Sequence, residues 1–266
     1  MKIAIISDEL SYDFHTAVEL GAEWGVRDFE IRCLGPERVP DHAPVWTDIV
    51  IQYVTAGKVN ITAMSPGLFK LKRSDPATAT HAGERLDHVL DLAQKWNCPR
   101  IIVFAFLCEP GDDPLHAPDA VVDILRRAAD KAADVGVEVV IETSQNTFAA
   151  TGRGHRALLD RLDHPNVKTN WDPANALNGG DTSPLNGYSD VAGTVAQVHV
   201  KDFDGAGKIV TVGTGKMDWP GQFAALAADG FDGLLTLETH IQPRLTGTKA
   251  CLDALRKLAR PWITAS

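Results

Sequence analysis

No stretch of this chain approaches the eighteen or more apolar residues that a membrane-spanning helix requires, so we expect no membrane span. Disulfide pairing is equally unsupported: the four cysteines, Cys33, Cys98, Cys108 and Cys251, are scattered and none stands in CxxC spacing. That pattern excludes a stapled framework and fits a reducing compartment. Positive charge is in deficit, with 26 Lys and Arg against 35 Asp and Glu and a formal net charge of -9. An extended nucleic-acid surface is therefore disfavoured. Glycine is missing from IISDELSYDF after the first apolar run, where an open dinucleotide-binding sheet would carry its phosphate loop. The opening MKIAIISDEL has too short an apolar stretch for a secretory signal and turns acidic at once, so it reads as a core strand. A cytoplasmic protein is the expectation. No linker or low-complexity tract divides the 266 residues, and one domain spanning 1–266 is expected.

What is present is a repeat. Short branched-apolar runs at 3–7, 28–32, 59–65, 100–106, 137–142, 167–171, 196–201 and 234–238 predict strands. Segments of helical period follow them at 13–24, 45–56, 80–96, 118–135, 153–162, 184–193, 219–229 and 246–259, the sixth being interrupted early by Pro184, Asn186 and Gly187. Parallel strands need helical crossovers, and a closed sheet leaves no edge, so eight such units predict a single (β/α)8 TIM barrel. The alternative, an open doubly wound sheet, lacks its phosphate loop. The irregular stretches 33–44, 66–79, 107–117, 143–152 and 202–218 all follow strands, which gathers them over the C-terminal face where barrels bind substrates.

Four polar residues stand where the last four strands end. Glu142 ends the fifth run, Asp172 directly follows the sixth, His199 lies near the end of the seventh, and Glu238 ends the eighth. Each alone has a plainer use: a solvated strand cap, a helix cap before Pro173, a satisfied core histidine, a surface acid. Their joint placement is what singles them out. Three carboxylates and an imidazole converging on one face repel one another unless a counter-charge is supplied, and one divalent cation supplies it. Oxygen-rich ligation with one nitrogen suits manganese, magnesium or cobalt, and less selectively zinc or iron.

VVIET around Glu142, NWDPAN around Asp172, HVKD at 199–202, and VGTGKMDW at 212–219 followed by GLLTLETH together resemble the xylose isomerase-like TIM barrel superfamily, in its sugar phosphate isomerase/epimerase branch. The matching segments cover residues 137–240, while the N-terminal third contributes the barrel pattern. The resemblance implies that Glu142, Asp172, His199 and Glu238 are metal ligands and that Glu142 and Glu238 also move the substrate's proton. It further implies that Lys201 touches the substrate and that Asp202 supports the site. Two positions depart from the pattern: the histidine often found two residues after the first glutamate is Ser144 here, and the one three residues after the aspartate is Asn175. Both lie in the expected substrate shell and leave the precise sugar open.

The groups permit a definite chemistry. A metal that chelates a ketone oxygen and a neighbouring hydroxyl makes the adjacent proton removable, and two glutamates flanking the resulting enediolate can invert a centre or move the carbonyl. The reading is a metal-dependent isomerase or epimerase of a small ketose or keto-polyol; the alternative is a dehydratase or lyase acting on a keto-sugar or keto-inositol. Asn146, Asn175 and His81 are candidate substrate contacts, each with an ordinary turn or surface role beside it. Glu30, Ser65 and Glu109 are further pocket candidates, Glu30 because alternation with Phe29 and Ile31 turns it inward. The VGTG run at 212–215 is either a phosphate cradle or a tight turn. Trp171 and Trp219 read as packing residues. A small carbohydrate is the expected partner, with neither nucleic acid nor membrane. A homo-oligomer is the further expectation, to which the tail PWITAS contributes or which it leaves alone by covering its own barrel.

Overall fold

In the computed structural model, which describes residues 1–263, eight parallel strands close into a barrel. They are β1 (Lys2–Ile6), β2 (Asp28–Ile31), β3 (Asn60–Met64), β4 (Arg100–Val103), β5 (Glu138–Glu142), β6 (Val167–Trp171), β7 (Val195–Val200) and β8 (Leu234–Leu237), with β8 returning to pair with β1. Alternation sorts their side chains. Ile5, Phe29, Ile31, Ile101, Val139, Ile141, Val198 and Leu235 join one large cluster with the surrounding helices, and each such side chain taken wholly out of water contributes ~1.5–3 kcal/mol. The lumen is split. Ala63, Ile102 and Val140 make a small separate apolar cluster on the β3–β5 side, whereas Glu30, Asn170, Gln197, His199 and Thr236 are all buried and polar. Residues 264–266, the end of PWITAS, lie outside the described residues; Trp262, within it, packs its ring 6.2 Å from Phe223.

The helices follow the expected order with three differences. The third is cut at Gly83 into two helices, Ala77–Ala82 and Glu84–Lys95, because the backbone there takes φ -108° and ψ -114°, outside the helical region. An extra short helix, Pro173–Gly179, starts directly after β6 with Asp172 as its N-cap, the Asp172 side chain accepting from the Asn175 amide. Pro184, which seemed to interrupt the following helix, begins it: Pro184–Val191 is capped by Ser183, and proline at the first helical position has no intrahelical hydrogen bond to lose.

Strand β4 ends at Val103 rather than continuing to Phe106. Residues 104–108 instead pair above the barrel, Phe104 N donating to Leu68 O, Leu107 N to Leu71 O, and Cys108 N to Asn146 O. Phe69 and Phe106, at left-handed φ of 61° and 50°, stack with ring centroids 5.2 Å apart in this second tier. Two small hairpins, 33–38 and 202–210, also rise from strand ends. Among the described residues no helix is long and apolar enough to cross a membrane.

Candidate active site

Glu142, Asp172, His199 and Glu238 converge at the C-terminal mouth of the barrel. All four are buried, and each offers one ligand atom such that these atoms lie within 4.8 Å of one another. The register explains how: His199 on β7 pairs with Thr236 on β8, so Glu238, two residues on, points into the same lumen one layer up. Lys201, two residues after His199, faces the same way. Its ammonium lies 2.8 Å from Glu238 Oε2 and 2.5 Å from Asp172 Oδ2. The second contact is an ion pair, and Asp172 Oδ2 has no other partner among the described residues.

Beside this cluster lies a second tier of charge that the sequence reading passed over. Arg32, just past β2, donates from Nη2 to Asp8 Oδ2 at 2.7 Å and Glu9 Oε1 at 2.8 Å, and from Nη1 to Glu238 Oε1 at 3.0 Å. Glu9 accepts in turn from Thr239 Oγ1 and the His240 amide. The signal was the one used elsewhere, charged residues at a strand end, but SDE after β1 and Arg32 after β2 lay outside the segments that carried the resemblance.

The charges shape one another. Burial raises the Glu142 carboxyl well above the usual range, with Glu238 adding and His199 and Lys201 opposing. Glu238 is buried too, yet Lys201 and His199 outweigh the loss of water and hold it well below the usual carboxylate range. Burial works against charge on Lys201, and Asp172, Glu238 and Glu142 overcome it and raise its pKa. His199 is likewise raised, as Glu30 and Glu238 outweigh desolvation. Asp8, Glu9, Glu30, Glu142, Asp172 and Glu238 are all buried, against two obligate cations, Arg32 and Lys201. Six carboxyls thus outnumber Arg32, Lys201 and His199, and His199 Nδ1 has no hydrogen-bond partner among the described residues, a donor set that fits a divalent cation.

The other residues singled out from sequence sort by contact. Asn175 Nδ2 donates to Thr143 O at 2.9 Å and reaches Glu142 Oε1 at 3.5 Å. Asn146 is exposed at φ 62°, with its carbonyl bonded to Cys108, the geometry of a turn. His81 Nδ1 accepts from the Phe69 amide and so pins the second tier. Glu109 binds Arg73 and Ser74 in the loops. Asp202 is a loop hub: its Oδ1 accepts from Phe203 N and Met217 N, and its Oδ2 from Gly213 N and Gly215 N. Those bonds correct the phosphate-cradle reading of VGTG, since Thr214 N is also taken, by Thr211 O, and the amides are spent inside the protein. Trp171 and Trp219 are fully buried packing residues, as expected.

Behind β5 and β6, His155 is fully buried between Thr143 Oγ1 and Thr169 Oγ1, and burial pushes its pKa down to about 3. An unfolded histidine titrates near its ordinary 6.5, so below that pH the unfolded chain binds the extra proton and the fold does not. Stability present above pH 6.5 is thus lost as pH falls toward about 3, on the order of 4 kcal/mol in all. Urea midpoints measured from pH 7 to 4 should fall more steeply for the natural protein than for His155→Gln.

Comparison with known proteins places this geometry. Residues 18–258 match the family described as Xylose isomerase-like TIM barrel. A 2-oxo-tetronate isomerase of Pectobacterium atrosepticum is 30% identical over 97 residues, covering 35% of this chain and 37% of that protein. A ketose 3-epimerase of Arthrobacter globiformis is 29% identical over 116 residues, covering 42% and 38%. The chain thus spans under two fifths of the length of either relative. Among solved structures, the IOLI protein with a bound zinc atom superposes with a TM-score of 0.83 at 15% identity over 99% of this chain and 100% of that one. A probable 3-DHS dehydratase, AsbF of Bacillus anthracis, gives 0.80 at 19% over 96% and 98%. At such identities these two likenesses speak for the fold.

Proposed function

We propose, because the chain belongs to the xylose isomerase-like TIM barrel family, that it is a divalent-metal-dependent isomerase or epimerase of a small ketose or keto-polyol. The observation that carries this is the buried set Glu142, Asp172, His199 and Glu238, with two glutamates among four convergent ligands. Isomerase and epimerase relatives support the reaction class. We read residues 1–266 as one barrel domain built around this site.

Glu142, Asp172, His199 and Glu238 would hold the metal, which supplies a Lewis acid for the substrate's carbonyl and hydroxyl oxygens. The rest is done by side chains. Glu142 and Glu238 come from strands separated by β6 and β7, so they reach the substrate from different sides of the mouth. One takes the proton from the carbon beside the carbonyl, and the other returns a proton to the planar enediolate. Lys201 brings a positive point charge to a substrate oxygen. Asn175 orients Glu142 or a hydroxyl, and Asn146 and His81 flank the approach. Asp202 fixes the 202–217 loop over one side.

The test is elemental mass spectrometry on protein purified without added metal. About one manganese, magnesium, cobalt, zinc or iron per chain is expected, lost together in Asp172→Ala and His199→Ala. A protein that takes up none of these ions on titration does not work this way. Product composition separates the dehydratase reading, since elimination releases water and epimerisation does not.

A further inference from the structure

We propose that Glu30 is a positioning residue that crosses the barrel lumen to hold His199 with its Nδ1 turned toward the candidate metal centre; the inference rests on the metal reading above. Glu30 is fully buried on β2, and β2 is separated from β7, which carries His199, by β1 and β8. Its side chain therefore spans the interior. There, Glu30 Oε2 accepts from His199 Nε2 at 2.9 Å and from Gln197 Nε2 at 2.5 Å, and Oε1 accepts from Ser65 Oγ. Both oxygens are committed to protein donors on β7 and just past β3. Glu30 is not one of the four convergent ligand residues.

The consequence falls on the imidazole. A carboxylate can only accept, so His199 Nε2 carries a proton, and Nδ1 is the nitrogen left to offer a lone pair. Nδ1 has no hydrogen-bond partner among the described residues and stands 3.4 Å from Glu238 Oε2, on the side of the other ligands. Asn170 has to accommodate this assignment: its Nδ2 lies 3.2 Å from the same Nε2, and with Nε2 a donor the amide must be turned over so that Oδ1 faces the ring. A carboxylate behind a ligating histidine fixes the ring and raises its basicity, and loss of such a partner typically weakens metal binding ~10–100-fold. Ser65 and Gln197 hold Glu30 in turn, so the ring's aim is set by three strands rather than by its own rotamer.

The experiment uses metal-free full-length protein titrated with Mn²⁺ or Zn²⁺ alone against a chromophoric chelator, in the natural sequence, Glu30→Gln and Glu30→Leu. Glu30→Leu, which removes every acceptor, should bind ~10–100-fold more weakly, and Glu30→Gln, which keeps an acceptor without the charge, should fall between. In ¹⁵N spectra of the zinc-loaded proteins, the His199 ring should carry its proton on Nε2 in the natural sequence and lose that single state in Glu30→Leu. Circular dichroism melts check folding; if Glu30→Leu does not fold, the isosteric Glu30→Gln decides. Natural affinity in a folded Glu30→Gln, or weakened affinity with an unchanged His199 ring spectrum, overturns the proposal while leaving the metal reading intact. A natural sequence that binds neither ion removes both.

Discussion

Glu142→Gln and Glu238→Gln should each lower turnover by ~10²–10⁴-fold, the usual worth of a positioned general acid or base, because on the proposed proton path the amides keep the shape of the site but cannot carry the proton. The two substitutions are not expected to be equivalent. Glu238 is gripped by Arg32, Lys201, His199 and His240, and its loss should disturb the whole mouth. Among the described residues Glu142 makes no ion pair and one long hydrogen bond, from Asn175 Nδ2 at 3.5 Å, and its loss should leave the neighbours in place. The readout is exchange of substrate carbon-bound hydrogen in D2O with a panel of ketopentoses and ketohexoses that the natural sequence accepts. A variant that exchanges at the natural rate removes its glutamate from the proton path.

The largest expected effect on stability is at Arg32. Replacing it with methionine keeps the stem's bulk but strips the counter-charge from Asp8, Glu9 and Glu238, whose side chains are 2%, 2% and 9% exposed. Breaking a buried ion pair from one side typically costs ~3–5 kcal/mol, since the partner is left charged and dry. Three partners share one guanidinium here, so a loss at the upper end of that range is expected in urea unfolding at neutral pH. A loss below ~1 kcal/mol, the scale of an exposed pair, would mean that Arg32 is not the counter-charge on which these acids depend.

The barrel was legible because its signal is repeated eight times: branched-apolar runs, then helical period, with the strand bounds falling within a few residues of those expected. The strand ends from β5 to β8 were legible for a related reason, since Glu142, Asp172, His199 and Glu238 each break an apolar run or sit at its exit. What escaped depends on contacts between distant loops. Nothing local in LCEPGDD or SPGLFKL announces that Leu107 N bonds Leu71 O, and so β4 was expected three residues too long. The choice between cradle and tight turn at VGTG stays open in the sequence because the acceptor of its glycine amides, Asp202, lies about a dozen residues away and binds them only once the hairpin has folded. Arg32 was passed over because its three partners stand at residues 8, 9 and 238. Glu30 was turned inward correctly by alternation, but alternation cannot say that a side chain reaches the far wall.

Closure of the sheet between β1 and β8 also has a temporal meaning. Thr239 meets Glu9 across 230 residues of sequence, and Arg32 meets Glu238 across 206. During synthesis, a growing chain that has already made Glu142, Asp172 and His199 has three of the four convergent residues, but its Arg32, Asp8 and Glu9 still lack their fourth companion. The fourth arrives only with the last strand. On the proposed metal reading, an N-terminal fragment that stops short of Glu238 should grip a divalent ion weakly, and tight loading should coincide with the moment the two ends of the sheet zip together.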